Sequence, residues 1–205
     1  MLNIYSNHKG KTMKIFNKST LLIVVLAISS TAYADWTLDS KSSSVQFNTV
    51  KKETVKEQHT FHAISGSVSA EGLAKFTIEL ASVDTKIQIR NERMQQHLFE
   101  TEKFPKAVAT TNIDVKKLLA MKAGDSRTVT LDLTLALHGV TKAYATSLLV
   151  KKLTFDSFQV SSVDALIIEA ADFGLLAGVE KLRDLAKLSS ISPSVPVMVD
   201  LTFAR

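Results

Sequence analysis

Cysteine is missing altogether from this chain of 205 residues. Neither disulfides nor thiolate metal sites can hold it together, so burial of apolar surface must. Also missing is any apolar run long enough to cross a bilayer as a helix, which takes ~20 residues. The most continuous one, Leu21 to Ile28, has eight. The chain contains no Gly-x-Ser-x-Gly elbow, no phosphate-binding Gly loop and no His-Glu-x-x-His, and so lacks the usual signatures of a serine nucleophile, a nucleotide site or a zinc site. His59 and His62 stand three apart in an extended stretch, which sends them to opposite faces. Asp84, Asp132 and Asp172 read as turn caps and solvated positions. No catalytic residue, metal site or cofactor is expected.

Acidic residues are absent from the first 34 positions, which hold Lys9, Lys11, Lys14 and Lys18. Lys14 and Lys18 precede the apolar run, and Ala32-Tyr33-Ala34 follows it. That order is the pattern of a secretory signal peptide cleaved between Ala34 and Asp35. A start at Met13 instead of Met1 would give a shorter signal with a compact basic head. The whole chain has 25 Lys and Arg against 20 Asp and Glu, and loss of those four lysines leaves 21 against 20. The excess positive charge therefore belongs to the leader, and no basic stripe remains for nucleic acid. Residues 35–205 are expected to form one domain, without an integral membrane segment.

What the chain does have is two-residue alternation, which points successive side chains to opposite faces of a sheet. Trp36 and Leu38 alternate, then Val45, Phe47 and Thr49; Lys51 to Gln58 reads as a loop or ragged edge, and Phe61 to Ser69 as extended. After a turn at Glu71-Gly72, Phe76, Ile78 and Leu80 share a face. Val83, Thr85, Ile87 and Ile89 take the opposite parity, which calls for a bulge at Ala81 and Ser82. Arg127 to Leu137 sets Val129, Leu131, Leu133, Leu135 and Leu137 against polar neighbours, and His138-Gly139 turns into Lys142 to Val150. Strands are also expected over Leu153 to Val160, Val163 to Ala170 and Val197 to Phe203. Asn91 to Phe99 has helix-forming composition, and Leu175 to Leu188 carries Leu175, Val179, Leu182 and Ala186 at helical spacing. The fold class is all-β: an extended antiparallel barrel, with one short helix and one amphipathic helix near the C-terminus.

Several short stretches resemble, in order, the YceI family of exported lipid-binding proteins. They are Trp36-Thr37-Leu38-Asp39 with Ser44-Val45-Gln46-Phe47, Val83-Asp84-Thr85, Arg90-Asn91 with His97-Leu98 and Phe104-Pro105, Leu133-Thr134-Leu135 with Gly139-Val140-Thr141-Lys142, and Asp172-Phe173-Gly174. Three departures accompany them: Asn91 stands where the family usually has Asp, Glu100 to Lys103 replaces the usual Ser-x-Asp-Phe-Phe wording, and Ala171 replaces a frequent Arg.

The resemblance implies a lipocalin-like barrel in the periplasm, holding a polyisoprenoid or other long-chain lipid for transport, storage or sequestration. The residues alone leave two alternatives standing, a hydrolase-like enzyme and a ligand-free barrel that binds other proteins. Candidate cavity residues are Phe47, Phe61, Phe76, Ile78, Leu131, Leu133, Leu135, Phe155 and Phe203; each could equally fill an ordinary core. Arg90 and His97 flank the short helix and are the polar candidates at the barrel mouth. The terminal strand could pair within the barrel or across a homodimer.

Overall fold

The computed structural model describes residues 35–205, and the leader expected over residues 1–34 lies outside them. The described residues form twelve strands, of which β7 and most of β3 lie outside the alternating stretches: β1 (Trp36–Leu38), β2 (Ser44–Lys51), β3 (Val55–Phe61), β4 (Ile64–Val68), β5 (Leu73–Glu79), β6 (Val83–Asp84), β7 (Lys106–Asn112), β8 (Ser126–Leu137), β9 (Val140–Lys152), β10 (Ser157–Ser162), β11 (Leu166–Glu169) and β12 (Ser194–Ala204). β1, β4, β5, β7, β8, β9, β10 and β12 pair in that order, and β1 closes the ring on β12. The remaining four extend this eight-stranded antiparallel barrel past local breaks. β2 continues β1, β3 runs into β4, β6 continues β5, and β11 continues β10. One end, here the upper one, carries the β2–β3 hairpin and the helical segments that follow β6 and β11.

Each break would orphan backbone groups of the neighbouring strand, and side chains fill in for the missing ladder bonds. Where β1 gives way to a 3-10 turn at Ser40–Ser42, the Thr202 amide of β12 donates to Ser43 Oγ at 2.9 Å. Where β10 ends, the Val199 amide donates to Ser162 Oγ, also at 2.9 Å. β12 is flanked inside the barrel by β1 and β2 on one edge and by β10 and β11 on the other. Its pairing is thus internal, not across a dimer.

Three sequence expectations need correction. The polar stretch after Lys51 is mostly strand: β3 starts at Val55, and the turn is confined to residues 52–54. Lys52 and Glu53 adopt left-handed φ values of 51° and 66° without the Gly or Asn that would have announced it. Second, the parity slip after Leu80 is a 3-10 turn at Leu80–Ser82, and the strand then ends at Asp84. Asn91 Oδ1 accepts from both the amide and the hydroxyl of Thr85, at 2.8 and 2.6 Å, which draws the chain out of the ladder. Ile87 and Ile89 are therefore not strand residues. Third, Leu153 to Asp156 form the β9–β10 turn, fixed by a Thr154–Ser157 hydroxyl pair at 2.7 Å, and β10 begins only at Ser157.

The two expected helices are present. α1 (Gln88–Arg93) leads into a π-helical turn at Met94–Leu98, closed by the Phe99 amide on the Met94 carbonyl at 2.9 Å. A third, α2 (Val115–Leu119), was not read from the sequence although Asp114 caps it by accepting from the Lys117 amide. α3 (Leu176–Leu185) crosses the upper end and packs on the π turn. Glycine makes that contact possible: a Cβ on Gly178 would sit 2.6 Å from the His97 carbonyl oxygen and 2.9 Å from Leu98 Cα.

The ring is not equally knit all round. β8 pairs with β9 along its twelve residues but with β7 only through Ala136, Leu135 and Thr134. Below that point Thr111 Oγ1 donates to the Asp132 carbonyl at 2.7 Å, and the seam opens.

Because the Gly178 contact is with backbone, Gly178→Ala is expected to destabilise the protein by ~1–3 kcal/mol. Ala177→Ser on the exposed side of α3 should change it by less than ~0.5 kcal/mol. Urea unfolding of the two variants checks this.

Candidate functional site

Inward-facing side chains of the barrel do not meet in the middle. Two adjoining cavities occupy the interior, about 480 Å³ towards the helical end and about 870 Å³ towards the other. Both lie within the usual range for small-molecule sites. Phe76, Ala109, Leu133, Leu166, Val197 and Val199 line both, so the two form one elongated space narrowed at its waist.

Strand parity explains the walls. Val45 and Phe47 on β2, Phe61 on β3, Ile78 on β5 and Leu135 on β8 face the upper cavity, and α3 roofs it with Val179 and Leu182. Leu131 and Phe203 face the lower one. Its floor is Trp36, 1% exposed, set edge-on against Phe158 with ring centroids 5.8 Å apart; the Arg205 guanidinium lies 3.5 Å from the Trp36 ring centre. The seam between β7 and β8 opens here, where Thr111, Asn112 and Arg127 give the lower cavity a more polar border.

Of the sequence candidates, Phe47, Phe61, Phe76, Ile78, Leu131, Leu133, Leu135 and Phe203 thus share this space. Phe155 does not. It sits at the tip of the β9–β10 turn, 73% exposed, because the strand it was assigned to starts two residues later. His97 is also off the wall, since its segment packs under α3 at Gly178. Arg90 does stand at the upper mouth. Its partner is Glu57 of β3, with Nη1 donating to Oε2 at 2.7 Å, while Nη2 donates to the Thr85 carbonyl at 2.7 Å.

Reading residues 51–58 as a loop concealed the rest of the polar rim. On β3, Glu57, His59 and Phe61 face inward in turn, opposite Thr49 and Phe47 of β2. Glu57 takes Lys51 on its other oxygen at 2.9 Å. Burial acts to raise its carboxyl, but the Lys51 hydrogen bond and the Arg90 charge prevail and hold it below the usual range. One step deeper, Thr49 Oγ1 and His59 Nε2 are 2.9 Å apart, and His59 is 4% exposed beside Phe47. His59 Nδ1 is buried without a hydrogen-bond partner. The Thr49–His59 pair therefore has no third group orienting the ring, which an activated nucleophile needs. Among the described residues no three His, Asp or Glu side chains come together to hold a metal.

Burial first, and then the Arg90 charge, push the His59 imidazole below its ordinary range, so the folded protein holds it neutral. The unfolded chain takes up that proton at about pH 6.5. Its contribution is whole above this pH and is lost as the pH falls towards the folded value, by up to ~1.4 kcal/mol per pH unit. Between about pH 7 and pH 5 the wild type should therefore lose stability more steeply than His59→Gln. Lowered carboxylates such as Glu57 and Glu100 act only below their ordinary value of about 4.3. Unfolding midpoints measured across that window check the difference.

Comparison with known proteins agrees with this geometry. No curated protein sequence matches the chain. Among solved structures, a polyisoprenoid-binding domain from Saccharophagus degradans implicated in plant cell wall breakdown is 38% identical; the match covers 82% of this chain and 97% of that one, with a TM-score of 0.81. Two others share the fold: Burkholderia cenocepacia BcnA, at 18% identity over 80% of this chain and 98% of that one (TM-score 0.63), and the Campylobacter jejuni YceI protein, at 17% over 72% and 84% (TM-score 0.53). Residues 36–203 match the YceI-like domain, spanning all the barrel strands from Trp36 to Phe203, and the chain belongs to the YceI family.

Proposed function

We propose that this protein binds a long apolar lipid of the polyisoprenoid class along the barrel axis, for carriage, storage or sequestration. The observation that carries the reading is the elongated apolar interior, two cavities sharing one waist. An empty space of that size forgoes core packing that would otherwise stabilise the fold. A hydrocarbon guest restores it, at ~0.8 kcal/mol for each CH₂ buried. The Saccharophagus relative, described as a polyisoprenoid-binding domain, supports the same ligand class. No helix among the described residues is long and apolar enough to cross a membrane.

Export belongs to the same reading. A lipid-binding domain beginning at Asp35, behind a basic, apolar and Ala-x-Ala leader, would act in the periplasm. N-terminal sequencing of the secreted protein should then begin at Asp35; a mature chain that keeps Leu21 to Ile28 would contradict this.

Titration with a long isoprenoid should raise the melting temperature progressively. The expected gain is ~2.7 kcal/mol at a free concentration a hundred times Kd. Ala109 faces the waist, so Ala109→Trp should weaken uptake while the empty variant stays folded. If neither a panel of long-chain lipids nor extraction of native protein reveals a guest, the carrier reading fails.

A further inference from the structure

The upper cavity opens between three segments that are bonded to one another. The β2–β3 hairpin meets the chain after α3 through the Lys52 amide on the Ser190 carbonyl, at 3.1 Å. It meets α1 through Glu57 and Arg90. α1 in turn reaches the end of α3 through Arg93 Nη1 on the Leu185 carbonyl, at 3.3 Å. Apolar side chains stand at this rim in solvent: Val55 is 41% exposed, Ile87 47% and Ile89 52%. Ile87 and Ile89 also line the cavity, so its apolar wall runs out to the surface without a break.

Lysines stand around these side chains in an unusual backbone setting. The described residues other than glycine with positive φ are Lys52, Glu53, Lys86, Glu100, His138 and Lys187. All belong to connections at the upper end, where Gly139 and Gly174 also take positive φ, whereas the turns below use only glycine, Gly72 and Gly124, for such conformations. Left-handed backbone costs an L-residue ~1–2 kcal/mol, a penalty that glycine avoids. Three of the six positions hold lysine. Lys52 and Lys187 have no ion-pair partner among the described residues, while Lys86 lies 2.6 Å from Asp84. Lys56 is exposed beside Val55. The acidic groups at this rim are Glu53, Glu57, Asp84, Glu92 and Asp184. Glu57 and Asp184 are already matched by arginine, and Asp84 by Lys86.

We propose that this upper rim docks on the surface of an anionic lipid bilayer, with Val55, Ile87 and Ile89 entering the interface and Lys52, Lys86 and Lys187 meeting the headgroups. Exposed apolar groups within a basic border have the chemistry of an interfacial contact. The placement would let a guest pass between bilayer and cavity without crossing water. The proposal rests on the lipid-binding reading above, and it adds where the guest enters and from what source.

The left-handed lysines supply a test that spares the fold. In the triple variant Lys52→Gly, Lys86→Gly, Lys187→Gly the backbone relaxes and the charge goes, so its melting temperature should hold or rise. Vesicles of phosphatidylcholine with phosphatidylglycerol should sediment the wild type, and vesicles of phosphatidylcholine alone should do so far less. Each lysine removed should weaken sedimentation roughly fivefold, and added salt should do likewise. A second variant, Val55→Ser, at a rim residue outside the cavity wall, should weaken vesicle binding as well. Both variants should still be stabilised by geranylgeraniol in the absence of vesicles. Wild type that geranylgeraniol stabilises but that ignores anionic vesicles would overturn the proposal and leave the carrier reading intact, with the rim then assigned to a protein partner. Equal sedimentation of wild type and the glycine variant would overturn it as well. Absence of geranylgeraniol stabilisation in the wild type, with vesicle binding intact, would strike at the carrier reading instead.

Discussion

Backbone hydrogen bonding around a closed ring must hold this protein in shape, because two adjoining cavities of about 480 and 870 Å³ interrupt the packing of its interior. An open sheet with such an interior would collapse, burying the apolar face by folding it on itself; ring closure forbids that and leaves no free edge. Closure over long strands has a geometric demand of its own. Strands must bend, and each bend takes a residue or two out of the ladder. Ser43 and Ser162 answer it with hydroxyls that accept from Thr202 and Val199, so these two β12 amides keep a partner where the neighbouring strands break. The close-packed regions lie at the ends. Phe173, fully buried, anchors the helical end with Leu80 and Val45, and Trp36 with Phe158 closes the other.

Distant stretches of sequence converge on the helical end. Lys142 Nζ lies 3.4 Å from Asp172 Oδ1, Tyr144 stacks on Phe173 with centroids 6.4 Å apart, and His138 bonds both the Phe173 carbonyl and Glu100. These contacts join the Gly-Val-Thr-Lys hairpin to the Asp-Phe-Gly turn. Asn91, where a carboxylate is usual, still offers the oxygen that Thr85 needs, and so the departure leaves the exit of the chain from the sheet unchanged. The hairpin and turn motifs are in this sense fasteners of the roof, while the motif at Trp36 closes the floor, and most of the cavity wall is built from side chains that belong to no motif.

That division explains what could be read from the residues alone. Alternation in β8 and β12 was legible because one face is wet and the other dry; it gave the barrel and most of the wall. Helical spacing gave α3. Three things were illegible. Lys52 and Glu53 form a left-handed turn with no Gly or Asn, so β3 passed for a loop and Glu57 and His59 went unrecognised as part of the rim. Phe155 follows Leu153 in apparent alternation, yet hydroxyl bonds among Thr154, Asp156 and Ser157 curl that stretch into a turn. His97 lies in a helix whose inward face is fixed by a π turn, and a single extra residue in the turn rotates every side chain after it.

The seam between β7 and β8 gives the ring one property that uniform closure would deny it. Circumference in a fully laddered barrel is set by strand number and stagger, and no strand can move without breaking bonds on both of its sides. Here only three residues on each strand and the Thr111 hydroxyl on the Asp132 carbonyl join β7 to β8. Parting them would free a hinged wall, with β8 still carried by β9 along its length. Such an opening is of the local kind that proteins undergo far below the free energy of global unfolding. A parted seam would widen the lower cavity, and one scaffold would then admit guests of different cross-section.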